Sequence, residues 1–234
     1  MVEGLGVRPR PLPRGFPFPL AVLLLAAALF PHACASPPPD NVVILCAGDS
    51  LTETGFPRRL KRLLERDGVR ARVLNYGRSG NTSGEYLRFL EGAYGRLEEG
   101  KPDFILLQLG TNDVRLDGDR TEAGVFEENM RRILAIFSGF KNRRGAPARV
   151  FLALIPPVPP TAGYPFGPES SVRVVEEINP ILRRLADKHR LVLVDNYTPL
   201  VEAPELLPDV HPTDEGYRLL AASWHAALKP HLPL

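Results

Sequence analysis

Cysteine is scarce in this sequence, which contains only Cys34 and Cys46 among 234 residues. Two cysteines exclude a disulfide framework, and neither belongs to the Cys/His spacing of a structural metal site. Cys46 lies within an apolar segment, where a buried and inert thiol is the default interpretation. The fold must therefore be stabilised by its hydrophobic core, for which about 200 residues are enough.

Long hydrophobic runs are absent as well. The longest candidate, Leu20 to Phe30, is too short to cross a bilayer comfortably. It follows three arginines and ends in small residues at the spacing that a signal peptidase recognises, directly before a Ser-Pro-Pro-Pro segment. We therefore interpret residues 1–35 as a secretory signal peptide, residues 36–40 as a proline-rich linker and residues 41–234 as one folded domain.

This leader has two alternative interpretations. The apolar run can remain as an uncleaved membrane anchor, or Cys34 can be acylated as in a lipoprotein. The residues before Cys34 are Pro31, His32 and Ala33, a poor match to a lipobox, so cleavage after Ala35 is preferred. The prediction is a secreted or periplasmic protein that keeps no membrane span after cleavage.

Net charge is also nearly absent, with a formal value of +2. The leader holds three arginines and one glutamate, which leaves 26 basic and 26 acidic residues out of 29 and 27. A near-neutral mature domain gives no reason to expect nucleic acid or an anionic membrane surface as a partner.

What the sequence does contain is an alternation of short apolar runs and helical patterns. Five runs predict buried strands, at residues 41–47, 72–75, 104–109, 150–155 and 191–194. Residues 174–188 predict a helix despite Pro180, where a kink is expected. The alternation indicates an α/β fold, a three-layer sandwich around a five-stranded parallel sheet. The flavodoxin-like strand order 2-1-3-4-5 is the economical choice, because a ligand then meets the carboxyl ends of strands one and three.

Each of the first three predicted strands ends in a polar turn that contains glycine. The turns read Gly48-Asp49-Ser50-Leu51-Thr52, Gly77-Arg78-Ser79-Gly80-Asn81-Thr82 and Gly110-Thr111-Asn112-Asp113. In a doubly wound sheet the three turns lie along one edge. The edge would gather a hydroxyl, a glycine amide and a carboxamide in one place.

These groups fit nucleophilic catalysis on a carbonyl. A serine hydroxyl needs a neighbouring base, and the charge that develops on the attacked carbonyl needs preorganised donors. Ser50 offers its hydroxyl and its own N–H, Gly80 an unobstructed N–H, and Asn112 a side-chain amide. His211, at the start of the last predicted helix, is the natural base. Taken singly, Ser50 could be only a helix cap, Gly80 a plain turn glycine and Asn112 part of an Asx turn. Their combination with His211 favours catalysis.

At this point the sequence resembles the GDSL family, also called SGNH hydrolases. Gly48-Asp49-Ser50-Leu51 matches the nucleophile block, while Ser50, Gly80, Asn112 and His211 match the S, G, N and H in family order. The blocks span residues 48–212, nearly the whole mature chain. The resemblance implies metal-free ester hydrolysis without a cofactor, through an acyl-serine intermediate and a three-donor oxyanion hole. A small-molecule, lipid or carbohydrate ester of short or medium acyl chain is the expected substrate.

One position departs from the family pattern. The family places its aspartate three residues before the histidine, where this sequence has Pro208, and Asp209 stands two residues before His211. We hypothesise that Asp209 still reaches the imidazole and fixes its tautomer. The alternatives are a Ser-His dyad steadied by a backbone carbonyl, or Asp195 as a reserve acid.

Two other classes of function remain open. Thr52-Glu53-Thr54-Gly55 faintly resembles a flavodoxin phosphate loop, which would make the protein an FMN-binding electron carrier. The irregular position of Asp209 also permits a non-catalytic binding module on the same fold.

Residues 156–168, rich in proline, are expected to shape a pocket, with Phe151, Tyr164 and Phe166 as either its apolar wall or core residues.

Overall fold

The structure is a computed structural model, and it describes residues 42–232. The predicted signal peptide (1–35) and linker (36–40) lie outside the described residues. Among the helices of residues 42–232, none is both long enough and apolar enough to cross a membrane.

Five parallel strands form one sheet in the order β2-β1-β3-β4-β5. The strands are β1 (Val42–Gly48), β2 (Ala71–Gly77), β3 (Phe104–Gln108), β4 (Arg149–Ala153) and β5 (Val192–Val194). This arrangement confirms the predicted flavodoxin-like order, in which the chain first builds β2 on one side of β1 and then reverses to add β3, β4 and β5 on the other.

Seven α-helices connect and cover the strands of the described chain. They are α1 (Phe56–Arg66), α2 (Ser83–Glu98), α3 (Ala123–Ser138), α4 (Pro168–Arg173), α5 (Asn179–His189), α6 (Thr198–Glu202) and α7 (Asp214–Leu228). The predicted helix over residues 174–188 is part of a longer run, in which a π-helical turn (Val174–Ile178) joins α4 to α5. This wider turn directly precedes the first residues of α5, where Pro180 has no N–H to donate.

The core lies on both faces of the sheet, as a parallel sheet requires. Along β1, Leu45 and Ala47 belong to the cluster that packs against α2, α3 and α5, while Ile44 and Cys46 belong to the cluster under α1 and α7. All four are fully buried. Burial also raises the pKa of the Cys46 thiol far above its ordinary value, as expected for an inert core cysteine.

The register of the sheet brings the polar turns to one edge. Gly48, the last residue of β1, pairs with Gly77 at the end of β2 and with Gln108 at the end of β3. The segments that follow these three strands therefore leave the sheet side by side.

Candidate active site

Ser50 and His211 meet at the carboxyl edge of the sheet. Ser50 Oγ lies 2.9 Å from His211 Nε2, although the two residues are 161 positions apart in the sequence. Ser50 follows β1 by two residues, and His211 lies in the loop that leads into α7. With the imidazole proton on Nδ1, the serine hydroxyl donates to Nε2, which is the arrangement that a general base requires.

The turn that carries Ser50 is held by its own neighbours. The carboxylate of Asp49 accepts the N–H of Leu51 at 3.0 Å, and the carbonyl of Asp49 accepts the N–H groups of Thr52 and Glu53 at 3.1 and 2.9 Å. The Thr54 hydroxyl donates to the carbonyl of Ser50 at 3.0 Å. The N–H of Phe56 then donates to the carbonyl of Leu51, five residues earlier, and closes residues 51–55 into a π-helical turn, a distortion often found at functional sites.

The polar side chains of the same turn have partners within the protein. Thr52 is fully buried with its hydroxyl directed at the carbonyl of Ala47, and Gly55 is buried beside the ring of Tyr217. The Thr54 hydroxyl is engaged by Ser50. Thr52 is thus the buried polar residue of this segment, whereas Glu53 and Thr54 are exposed and bond to Ser79 and Ser50. The segment that resembled a flavodoxin phosphate loop therefore connects the turns at this edge of the sheet.

Glu53 links the nucleophile turn to the turn that carries Gly80. Its carboxylate accepts the N–H of Ser79 at 2.8 Å, and this bond, with the side chain of Ser79, holds the pKa of Glu53 below its ordinary value. The two turns are also in close contact at Gly77, where a Cβ would stand 2.2 Å from the N atom of Glu53. A residue larger than glycine at position 77 would therefore push the two turns apart.

Gly80 and Asn112 come together on the neighbouring turns. Gly80 is exposed and has a φ of +79°, in the left-handed region that favours glycine, with nothing within 4 Å of a Cβ position. Asn112 Nδ2 donates to the carbonyl of Asn81, the residue after Gly80, at 3.0 Å. A carboxamide carries two N–H hydrogens, so this bond takes one and leaves the other for a ligand.

Asp113 fixes the 3₁₀ turn (Asn112–Val114) that begins with Asn112. It is fully buried, and its carboxylate accepts the Ser83 N–H at 2.9 Å and the Ser83 hydroxyl at 2.6 Å. Burial raises the pKa of Asp113, while the bonds from Ser83 oppose that rise. Asp113 therefore stabilises the loop at the start of α2.

Asp49 is the second buried carboxyl group at this edge. Burial raises its pKa from an ordinary value of 3.8 to about 7, the N–H of Leu51 opposes that rise, and the negative charge of Asp113 adds to it. In the sequence, Asp49 was marked only by its place next to Ser50 in the Gly-Asp-Ser-Leu turn, and nothing there indicated its burial or its raised pKa.

Asp209 lies beside the imidazole without a side-chain hydrogen bond to it. Its Oδ1 accepts the backbone N–H of His211 at 3.0 Å and stands 3.6 Å from His211 Nδ1. The Asp209 and His211 side chains are 60% and 49% exposed. Asp195, the reserve acid, instead accepts N–H groups of Tyr197 and Thr198 at 3.0 and 2.9 Å at the start of α6. These bonds outweigh its partial burial and lower its pKa.

Two other histidines of the described chain have partners away from Ser50. His225 pairs with Asp67 at 3.1 Å between α7 and α1, and His231 Nδ1 lies 2.8 Å from Arg149 Nη1. His189 ends α5. His32 lies outside the described residues.

The three aromatic residues that the sequence offered as a pocket wall have different surroundings. Phe151 is fully buried in the core, against Phe104. Phe166 packs on the core cluster of α2, α3 and α5. Only Tyr164 is open to solvent, at 81%. The contacts of Phe151 and Phe166 therefore favour the core interpretation over a pocket wall.

Comparisons with known proteins show the family of this chain and agree with its fold. The model of the GDSL-like lipase/acylhydrolase family matches residues 46–219, which include all five candidate site residues. No curated protein matches the chain. Among solved structures, a carbohydrate acetylesterase family member from Sinorhizobium meliloti is similar with a TM-score of 0.65 and 20% identity, covering 82% of this chain and 100% of its own.

Two further solved structures are comparably similar. A GDSL-like lipase from Bacteroides thetaiotaomicron has a TM-score of 0.65 and 23% identity, over 86% of this chain and 94% of its own. An acetyl xylan esterase has a TM-score of 0.64 and 22% identity, over 80% of this chain and 100% of its own. At these identities the solved structures establish only that the fold is shared. The family model covers most of the chain and therefore establishes the family.

Proposed function

This chain belongs to the GDSL-like lipase/acylhydrolase family, and from that premise we propose that it is an exported serine hydrolase that cleaves carboxylic esters through an acyl-serine intermediate. Membership of the family makes it an ester-hydrolysing enzyme. The observation that carries the proposed mechanism is the 2.9 Å contact between Ser50 Oγ and His211 Nε2.

In the first half of the proposed reaction, Ser50 Oγ attacks the ester carbonyl carbon while His211 Nε2 takes the hydroxyl proton. The carbonyl oxygen becomes an oxyanion, which accepts hydrogen bonds from the N–H of Ser50, the N–H of Gly80 and the carboxamide of Asn112. One such donor contributes about 3 kcal/mol to the transition state. Collapse of the intermediate breaks the ester C–O bond, and the leaving alkoxide takes the proton from His211.

In the second half, a water molecule attacks the acyl-serine and gives its proton to His211. The second tetrahedral intermediate uses the same donors, and its collapse returns the proton to Ser50 Oγ and releases the carboxylic acid. We propose that Asp209 supports the imidazolium in both halves, because its carboxylate lies 3.6 Å from Nδ1 and also holds the backbone of His211.

The substrate class is proposed from the exposure of the site. About half of the His211 side chain is open to solvent, Phe151 is buried in the core, and Phe166 packs against the core. An open site of this kind favours short or medium acyl groups carried on a larger alcohol, including an acetylated carbohydrate. Similar structures include a carbohydrate acetylesterase family member and an acetyl xylan esterase, which supports the same substrate class.

Export is proposed from residues 1–35 alone. We expect the protein made in a bacterial host to appear outside the cytoplasm and its intact mass to correspond to a chain that begins at Ser36. A Cys34→Ser variant should be processed in the same way. Loss of processing in that variant, or a mass increased by acyl chains, would favour the lipoprotein alternative.

A fluorophosphonate probe provides the direct test of the enzyme mechanism. Wild-type protein should be labelled on Ser50, and Ser50→Ala should remain folded and unlabelled. Thr54→Val, which removes the exposed hydroxyl of the same turn, should leave the labelling intact. The absence of labelling in folded wild-type protein would favour the binding module, which the 3.6 Å separation of Asp209 and His211 keeps as a second candidate.

A further inference from the structure

Arg173 is almost completely buried, although arginine is among the residues most rarely found inside proteins. It ends α4, and its side chain is 2% exposed. The guanidinium donates to the backbone carbonyls of Asp113 at 2.8 Å and Thr121 at 2.6 Å, and to the carboxylate of Glu177 at 2.9 Å. A buried charge is tolerated only with partners of this kind, so the contacts of Arg173 are part of the fold.

The bonds of α4 end on the turn that carries Asn112. Asp113, whose carbonyl Arg173 holds, directly follows Asn112 in the 3₁₀ turn. One helical turn earlier, the buried hydroxyl of Ser170 donates to the carbonyl of Val114 at 2.7 Å. Residues three positions apart lie on one face of a helix. Two side chains of α4 therefore hold two successive carbonyls of this turn.

Arg173 also closes the loop that follows the turn. The N–H of Thr121 donates to the Asp113 carbonyl at 3.1 Å, and Arg173 reaches that carbonyl and the carbonyl of Thr121 with its two terminal nitrogens. The guanidinium thus joins both ends of the segment between residues 113 and 121. The guanidinium reaches the two carbonyls with two separate nitrogens in a fixed planar arrangement, which the single nitrogen of a lysine ammonium does not reproduce.

We propose that Arg173 is a positioning residue for the oxyanion hole and that it acts through Asn112. The inference rests on the proposed function, in which the Asn112 carboxamide stabilises the oxyanion. A donor of this kind must stand within a fraction of an ångström of its place, since a displacement of about 1 Å can reduce the rate about 100-fold. The clamp on the Asp113 carbonyl sets the backbone from which the carboxamide projects.

A double-mutant cycle on kcat tests the coupling. Arg173→Met should lower kcat for p-nitrophenyl acetate about 10-fold to 100-fold, with KM changed by less than about threefold. Asn112→Ala should lower kcat at least about 100-fold. In the Asn112→Ala background, Arg173→Met should cost less than about threefold, because the donor that it positions is already absent.

The matched control is Arg184→Met on α5. Arg184 belongs to the same continuous helical run, is 59% exposed and pairs with Glu127 rather than with the Asn112 turn. It should leave kcat unchanged in both backgrounds. An equal loss from Arg173→Met in both backgrounds would assign Arg173 a general structural role and overturn the proposal, as would unchanged kcat in the folded single variant.

Two milder variants keep the test informative if Arg173→Met does not fold. Arg173→Lys retains the charge but replaces the planar guanidinium with a single ammonium nitrogen, and Ser170→Ala removes the neighbouring bond to Val114. Both variants should show smaller losses of kcat, and these losses should also shrink without Asn112. Losses that persist without Asn112 would again overturn the proposal. Wild-type protein that neither hydrolyses esters nor reacts with a fluorophosphonate would instead overturn the proposed function, and this inference with it.

Discussion

The Oδ1 atom of Asp209 accepts the backbone N–H of His211 at 3.0 Å and lies 3.6 Å from Nδ1 of the same residue. The carboxylate therefore orients the loop of the histidine more directly than it orients the imidazole ring. A charge at this distance, on a side chain that is 60% exposed, is screened by water and contributes modestly.

We accordingly expect Asp209→Asn to lower kcat by about tenfold, much less than the factor of about 10⁴ known for a buried triad aspartate. The asparagine keeps an acceptor for the His211 N–H and removes only the charge. The measurement is kcat on p-nitrophenyl acetate, with His211→Ala as the reference for complete loss of the base. A decrease of several orders of magnitude would show that the carboxylate closes onto Nδ1 when substrate binds. Unchanged activity would point to a Ser-His dyad.

Gly80 and Gly68 form a matched pair for testing the oxyanion hole. Both have a φ of +79° and open space where a Cβ would stand, so alanine introduces the same backbone strain at either position. Each Gly→Ala variant should lose about 1 kcal/mol of unfolding free energy. Only Gly80→Ala should also lower kcat, by about tenfold or more, because the strain shifts the N–H that we propose to bind the oxyanion.

Urea unfolding and steady-state kinetics on the two glycine variants separate these effects. Equal losses of kcat would mean that strain alone explains the activity change. Full activity in folded Gly80→Ala would remove Gly80 from the proposed oxyanion hole.

Sequence patterns were sufficient to predict the strands of the sheet and the meeting of the three polar turns at one of its edges. The run over residues 104–109 predicted β3 to within one residue, since such apolar runs end at glycine or proline, where the strand must stop. The strand order then placed the turns of Ser50, Gly80 and Asn112 at one edge, because parallel strands in this order share their carboxyl ends. These inferences needed only local patterns and one topological rule.

The same patterns could not predict the side-chain contacts that position the candidate site residues. Arg173 appears in the sequence as one arginine in a polar helical segment, and only the packing of α4 on the Asn112 turn buries it. Glu53 similarly gains its role from a bond to Ser79, 26 residues away. Each of these side chains depends on a partner that is distant in sequence, so no periodicity marks it.

Asp49 predicts an unusual dependence of stability on pH. Its pKa rises from 3.8 to about 7 on folding, so between these values the folded state binds a proton that the unfolded state releases. Stability that comes from this group is fully present below pH 4 and is lost as the pH rises to about 7. The change amounts to about 4 kcal/mol at 1.36 kcal/mol for each pH unit.

An asparagine at position 49 removes this titration while keeping an acceptor for Leu51. The unfolding free energy of Asp49→Asn, relative to wild type, should therefore increase by several kcal/mol between pH 4 and pH 8. Asp195→Asn is the control: the pKa of Asp195 is lowered on folding, so its contribution is lost only as the pH falls below 4, and it should show no trend in this window. A flat difference for Asp49→Asn would show that Asp49 is ionised throughout.

The exposure of the catalytic pair predicts a preference for short acyl chains. His211 is half exposed, Phe151 is buried and Phe166 packs against the core, so Tyr164 is the aromatic wall candidate that is largely open to solvent. At an open site, additional methylene groups remain in water and add little binding energy. We expect kcat/KM for p-nitrophenyl esters to be highest for acetate or butyrate and to fall at least about tenfold for dodecanoate, when measured below micelle formation.

Tyr164→Ala should weaken butyrate hydrolysis more than acetate hydrolysis. Activity confined to long chains would contradict an open site and would require a channel formed only when substrate binds.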